Sequence, residues 1–237
     1  MLDFGFYNMD CMEGMKQFPD KYFDLAIVDP PYGGGGDPDA ENTFNGALCG
    51  RFGGRFENYF GKDKRGHMGG GHAKRYDYWH WDISPDKSYF DELFRVSKNQ
   101  IIWGGNYFEL PPTRCFLVWR KLSISESFTM AMAEYAWTSF NENAKVFECA
   151  PQGKANDKRF HPTQKPVELY EWILNHYAKE GDIILDTHVG SGSSLIACRE
   201  TNHKYVGFEI SPDYYTKAKD RIEKAAAQYT IFDFLNE

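Results

Sequence analysis

The stretch GDIILDTHVGSGSSLIACRE, residues 181–200, runs from a short apolar segment through an aspartate into a glycine turn and then into a helical pattern. The unbroken apolar run closing on Asp186 reads as a strand covered on both faces, where no alternation is needed. Gly190, Ser191 and Gly192 supply the turn, and a helix begins at Ser193. Strand, glycine turn and helix together form the ligand cradle of an open α/β sheet. A dinucleotide fingerprint needs a glycine three residues after Gly192, where Leu195 stands, and a P-loop needs a lysine that is absent here. What remains is an acidic strand end, a backbone turn open to an adenosyl ligand, and a second acidic strand end, Glu209, 23 residues later and suited to ribose hydroxyls. The glycine turn alone fits an ordinary tight turn equally well; the spaced acid is what favours a ligand.

Working outward, further apolar runs occupy residues 4–8, 23–29, 100–105, 115–120, 133–139 and 205–209, which with 182–186 predicts seven strands. Helical periodicity lies between several of them. Residues 84–99 carry Ser84 and Pro85 at a start and Tyr89, Phe90, Leu93, Phe94 and Val96 on one side. Residues 166–181 place Tyr170, Ile173, Leu174 and Tyr177 on one face and stop at Gly181, and residues 211–228 repeat the arrangement with Tyr215, Ala218, Ile222 and Ala225. Strands alternating with helices predict a single α/β domain over 1–237 with a doubly wound, mostly parallel sheet. Residues 33–80 and 140–161 show neither periodicity and read as insertions at the loop-bearing edge of that sheet.

The run FDLAIVDPPYGGGG, residues 23–36, is a second buried strand that ends on its own acid, Asp29. Pro30 and Pro31 donate no backbone hydrogen and hold the next turn extended, while the glycines free the chain beyond. Ligands in open sheets sit beyond the carboxyl ends of the strands, where strand order reverses. If the strands ending at Asp29 and Asp186 are neighbours there, the DPPY tetrad faces whatever the glycine turn holds.

Net charge is −7, which argues against coating nucleic acid by bulk attraction. The charge is uneven, however. Residues 51–75 hold seven basic side chains, Arg51, Arg55, Lys62, Lys64, Arg65, Lys74 and Arg75, against Glu57 and Asp63, a local +5 that leaves −12 for the rest. Phe52, Phe56, Tyr59 and Phe60 are interleaved with these bases, a composition suited to phosphate contacts and base stacking, though also to a solvated loop. Five cysteines without a C-x-x-C pair fit reduced thiols in a cytoplasm. No apolar run approaches the roughly 18 residues of a membrane span, and the acidic start is not that of a secretory signal. The HMGGGH stretch lacks the ligand spacing of a structural zinc site, so no metal is expected.

Three motifs in order, DPPY at 29–32, HPTQKP at 161–166 and DTHVGSGSS at 186–194, resemble the beta group of S-adenosylmethionine-dependent DNA amino-methyltransferases, in which the cofactor half follows the catalytic half. The opening YNMDCMEGMKQFPDKYFDLAIVDPPY, residues 7–32, is also similar to the first forty residues of that family, and WRK and AEYAWTSF resemble its middle. The resemblance implies a Rossmann-like methyltransferase sheet with permuted motif order, and a catalytic loop of Asp29, Pro30, Pro31 and Tyr32. It implies a cofactor site drawing on Asp10, Cys11, Asp29, Lys165, Pro166, Asp186, His188, Gly190, Ser191, Gly192, Ser194 and Glu209. Thr187 and His188 stand where the family usually has proline and phenylalanine. Aspartate at the head of the tetrad favours adenine; the alternatives are a cytosine-N4 enzyme and a non-catalytic cofactor- or DNA-binding relative. The partners implied are double-stranded DNA and, in some members, a second copy of the chain, in the setting of restriction-modification. Since the 140–161 interval is too short for an independent reading unit, the basic residues of 51–75, in a mobile insertion spanning 33–80, are expected to share DNA contact. Glu134, in AEYAWTS, is read as structural.

Overall fold

The computed structural model describes residues 1–33, 83–126, 131–153 and 159–236. The chain divides into two compact units, Met1–Pro30 with Lys87–Glu237, and Pro31–Asp86. Of the second unit only residues 31–33 and 83–86 are described, with Gly33 directly against Ser84. All seven basic residues from Arg51 to Arg75, and the HMGGGH stretch, lie outside the described residues.

The first unit is built on one sheet of strands β1 (Gly5–Asn8), β2 (Phe23–Val28), β3 (Ser97–Trp103), β4 (Phe116–Lys121), β5 (Ala133–Thr138), β6 (Lys145–Cys149), β7 (Ile183–Asp186) and β8 (Lys204–Glu209). Its helices are α1 (Cys11–Met15), α2 (Lys87–Val96), α3 (Val167–Tyr177), α4 (Ser193–Glu200) and α5 (Pro212–Asn236). No described helix is long and apolar enough to cross a membrane. The strand order is β1-β8-β7-β2-β3-β5-β4-β6. Every pairing is parallel except those of β5, which runs against both β3 and β4.

The sheet is the expected mostly parallel, doubly wound type, with eight strands among the described residues rather than seven. The additional strand is β6, inside the 140–161 interval that shows no strand periodicity. It is the edge strand beyond β4, so only one side of its backbone is paired and only one face is covered. Phe147 and Cys149 pack against the core while Val146 is exposed, which leaves too few apolar positions for a readable pattern.

Central strands show the opposite extreme. Leu25 and Ile27 of β2 pack with α3 and α4 residues on one face, and Ala26 and Val28 pack with α2 residues on the other. That is why the FDLAIV run lacks alternation. From β7 the chain moves through α4 to β8, and from β2 it moves the opposite way to β3, so strand order reverses between β7 and β2. These two strands are paired, Leu25 opposite Ile184 and Ala26 opposite Leu185. The neighbour relation required by the sequence reading therefore holds.

Candidate active site

Parallel strands deliver their last residues to one edge, and the acids of this chain gather there. Asp10 follows β1, Glu209 ends β8, Asp186 ends β7 and Asp29 follows β2. Because β5 runs backwards, its first residues, Ala133 and Glu134, reach the same edge, opposite Arg120 and Trp119 of β4.

The glycine turn is tied to this edge by its own backbone. Gly190 and Gly192 both adopt positive φ, 54° and 83°, which an L side chain rarely tolerates. Gly190 N–H donates to Glu209 Oε2 at 2.9 Å, and Ser211 N–H donates to Glu209 Oε1 at 2.8 Å. Each carboxylate oxygen keeps a further acceptor position. Asp186 accepts from the His188 N–H at 2.9 Å and from the Ser194 hydroxyl. Ser194 is thus a brace beneath the turn, its hydroxyl directed inward. Burial pushes the Asp186 carboxyl up to about 7; the hydrogen bonds from Ser194 and His188 oppose the shift, and the charges of Asp29 and Glu209 add to it. Burial raises Glu209 as well.

Asp10 is the N-cap of α1, its Oδ1 accepting from Met12 N at 2.8 Å and Glu13 N at 3.2 Å. Beside it, burial drives the Cys11 thiol up to about 12, with the charges of Asp10 and Asp186 contributing. His188 is held down to about 4 by burial, against the pull of Asp10. Its Nδ1 meets Thr187 Oγ1 at 2.9 Å, Thr187 Oγ1 meets the Tyr89 hydroxyl at 2.6 Å, and the His188 and Tyr89 rings lie edge to face at 5.4 Å. A neutral imidazole therefore occupies the place for which the sequence motif raised a question.

The HPTQKP segment closes the arrangement. Ser193 Oγ donates to the Lys165 carbonyl at 2.6 Å, and Arg221 donates to Ser193 Oγ at 2.9 Å and to the Ser191 carbonyl at 2.7 Å. The His161 ring lies where a Cβ on Gly190 would meet it at 3.2 Å, and it stacks edgewise on Tyr214 at 4.3 Å. Burial lowers this histidine to about 3, with Lys165 and Arg159 adding to the effect. Lys165, only 3% exposed, pairs with Asp29 and with Glu134 Oε2 at 3.2 Å, and its ammonium lies 5.3 Å from the centre of the Trp103 ring. Burial works against that ammonium, but the two carboxylates outweigh it and hold its pKa above the ordinary lysine value.

The sequence-derived residues Asp29, Lys165, Asp186, Gly190, Gly192 and Glu209 thus converge on one edge, with Asp10, Cys11 and His188 at the β1 side. Pro31 and Tyr32 belong to the second unit. Sequence reasoning assigned no site role to His161, Ser193 or Glu134. A charge at the head of the apolar AEYAWT strand was the available signal for the last of these.

The DNA methylase family of N6 and N4 type matches residues 60–220 of this chain. The chain belongs to this family. Among its relatives, the type II methyltransferase M.HpaI of Haemophilus parainfluenzae is 37% identical over 81 residues, 34% of this chain. Those residues are 25% of M.HpaI, so the chain matches about a quarter of that relative's length. The fold recurs in the M1.HpyAVI–SAM complex, with a TM-score of 0.52 and 18% identity over 92% of this chain and 98% of that one. It recurs also in the PvuII cytosine-N4-specific DNA methyltransferase, with a TM-score of 0.57 and 13% identity over 95% and 91% of the two chains.

Proposed function

We propose that this chain transfers the methyl group of S-adenosylmethionine to the exocyclic amino group of an adenine flipped out of DNA. The observation that carries the reading is the position of Asp29. It leaves the end of β2 beside the strand that ends in Asp186, and a buried lysine holds its carboxylate.

The residues present suit the cofactor. The two positive-φ glycines set a tight turn, with His161 and Ile222 filling the space a Cβ would take on each, so the turn offers a ligand its backbone, and the Glu209 carboxylate retains acceptor capacity for ribose hydroxyls. Asp10, Cys11 and His188 would border the adenine end, and Lys165 and Pro166 the methionine end. When bound, S-adenosylmethionine supplies an electrophilic methyl on a sulfonium.

The amine of adenine is a poor nucleophile because its lone pair is delocalised into the ring. The Asp29 carboxylate and the Pro30 carbonyl, held by consecutive prolines, accept its two hydrogens and draw the nitrogen toward a tetrahedral shape. Positioning and electrostatics provide most of the acceleration. A paired base cannot reach such an acceptor pair, so it leaves the stack, and Tyr32, next in the chain after the prolines, offers an aromatic ring to stack on it. The aspartate heading the tetrad supports adenine over cytosine. The work is done on cytoplasmic DNA.

The deciding experiment incubates the protein with labelled S-adenosylmethionine and mixed-sequence DNA, followed by nucleoside analysis. Label in N6-methyladenine is the expected result; label in N4-methylcytosine overturns the choice of base, and absence of label overturns the activity. Glu209→Ala should weaken cofactor affinity about 10- to 100-fold by removing charge-assisted hydrogen bonds. Unchanged cofactor titrations would remove Glu209 from the cradle. The basic residues of 51–75 are assigned to DNA phosphates on their charge. Replacing Lys62, Lys64 and Arg65 together with alanine should lower the salt slope of DNA binding by up to about 3 and leave cofactor affinity alone. An unaltered slope would place phosphate contact elsewhere.

A further inference from the structure

Four charged side chains alternate in sign along the carboxyl edge on the β3, β5 and β4 side. Lys121, at the end of β4 and 7% exposed, meets Glu134 Oε1 at 2.5 Å. Glu134 meets Lys165 at 3.2 Å through its other oxygen, and Lys165 meets Asp29. Each ammonium also has an indole beside it, Trp119 at 5.0 Å from Lys121 and Trp103 at 5.3 Å from Lys165. The array sums to zero charge. Four segments build it, the ends of β2 and β4, the start of β5 and the HPTQKP loop, and the reversed direction of β5 is what brings Glu134 to this edge.

We propose that Glu134 is a positioning residue for the methyl transfer, sharing the Lys165 ammonium with Asp29 so that neither the place nor the charge of that cation opposes the reaction at the acceptor amine. The role rests on the proposed function above. As the amine nitrogen bonds to the methyl carbon, the carbon–sulfur bond would break with its electron pair going to sulfur, so the positive charge would pass from sulfur to nitrogen until a proton leaves to solvent, while the carboxylate that accepts the amine hydrogen is in contact with a buried lysine. A lone buried ammonium there would both occupy Asp29 and repel the forming charge, and in a site shielded from water such repulsion is weakly screened. A second carboxylate on the far side of the ammonium offsets it. Lys121 in turn holds Glu134 in place, and both cations keep the Glu134 carboxyl below the usual carboxylate range against its burial.

Among the described residues few groups face Lys165. They are Asp29 beyond β2, Glu134 of β5 with Lys121 of β4 behind it, and the neutral His161 of its own segment. Tyr170 of α3 shares the field of Asp29, Asp186 and Glu134, and burial keeps its phenol protonated. Removing Glu134 therefore leaves Asp29 as the one carboxylate among the described residues paired with Lys165, and the lysine releases its proton at lower pH than in the wild type.

The test is Glu134→Gln, measured for kcat on DNA from pH 7 to 10, for cofactor affinity, and for the Lys165 Nζ titration by NMR in the ligand-free protein. Expected are a kcat about 10- to 100-fold lower near neutral pH, unchanged cofactor affinity, a lowered Lys165 pKa, and a kcat that climbs with pH as Lys165 becomes neutral. Glu134→Asp should restore part of the loss. Should Glu134→Gln fold poorly, the double variant Lys121→Gln, Glu134→Gln removes one charge of each sign and should show the same climb with pH. Wild-type kcat in Glu134→Gln, or an equal loss at every pH with the Lys165 titration unmoved, overturns the role. A wild-type protein that methylates no DNA overturns the function reading and the role with it, whereas an active wild type with an unaffected variant overturns the role alone.

Discussion

Asp29→Asn should lower methyl transfer by about 10³-fold with a far smaller effect on cofactor titrations, since in the proposed function the lost charge acts chiefly on the acceptor amine. Asparagine keeps the shape of the side chain and one acceptor oxygen, and Lys165 keeps its contact with Glu134. Alanine is the harsher change. It would strip a buried ammonium of its closest partner, and breaking a buried pair in that way costs about 3–5 kcal/mol of stability. Loss of activity in the alanine variant would then mix chemistry with unfolding. Labelled-methyl assays of the asparagine variant, with calorimetric cofactor titration alongside, separate the two. Near-normal turnover would mean that Asp29 does not activate the amine.

The Asp186 carboxyl should cost the ligand-free protein stability as pH rises from about 4 to about 7, while the buried His161 and His188, held down to about 3 and about 4, add stability over much of the same range. The folded Asp186 carboxyl is raised from 3.8 to about 7, so the native state holds this proton more tightly than the unfolded chain does. The benefit is complete below the ordinary carboxylate pKa and is lost as pH climbs through the raised one. A shift of that size corresponds to stability on the order of 4 kcal/mol. Glu209 moves in the same direction for the same cause, burial. Asp186→Asn retains the side-chain size and cannot ionise, so the variant should gain stability over the wild type as pH rises and melt higher near pH 8 by about 10 °C. Thermal unfolding of both proteins at pH 5 and pH 8 measures the difference. A gap between them that is the same at both pH values would show that the Asp186 carboxyl titrates normally.

Local patterns in the sequence determined the class of fold and the identity of the strand-end acids. A strand buried on both faces must be apolar throughout, and it shows wherever it ends: Asp29 after FDLAIV and Asp186 after IIL are legible because the run stops at them. Gly190 and Gly192 are legible for a similar reason, since a strand passing directly into a helix needs a turn with positive φ. Strand β6 was not legible, because an edge strand buries half of one face and writes no run.

Other facts depended on pairings between distant residues. That β7 lies beside β2 is a matter of sheet order, and no periodicity encodes it. Lys165 meets Asp29 across 136 residues of sequence, and HPTQKP alone does not say which acid its lysine will find. His161 against Gly190 is a steric fit between two loops. Glu134 is the clearest case. Its strand reads as apolar and structural, and only the antiparallel direction of β5, set by its pairing between β3 and β4, turns the charged end toward the edge where Asp29 and Lys165 meet. Residue type and spacing are local quantities, whereas strand direction and neighbour choice follow from how the whole sheet closes over its two cores.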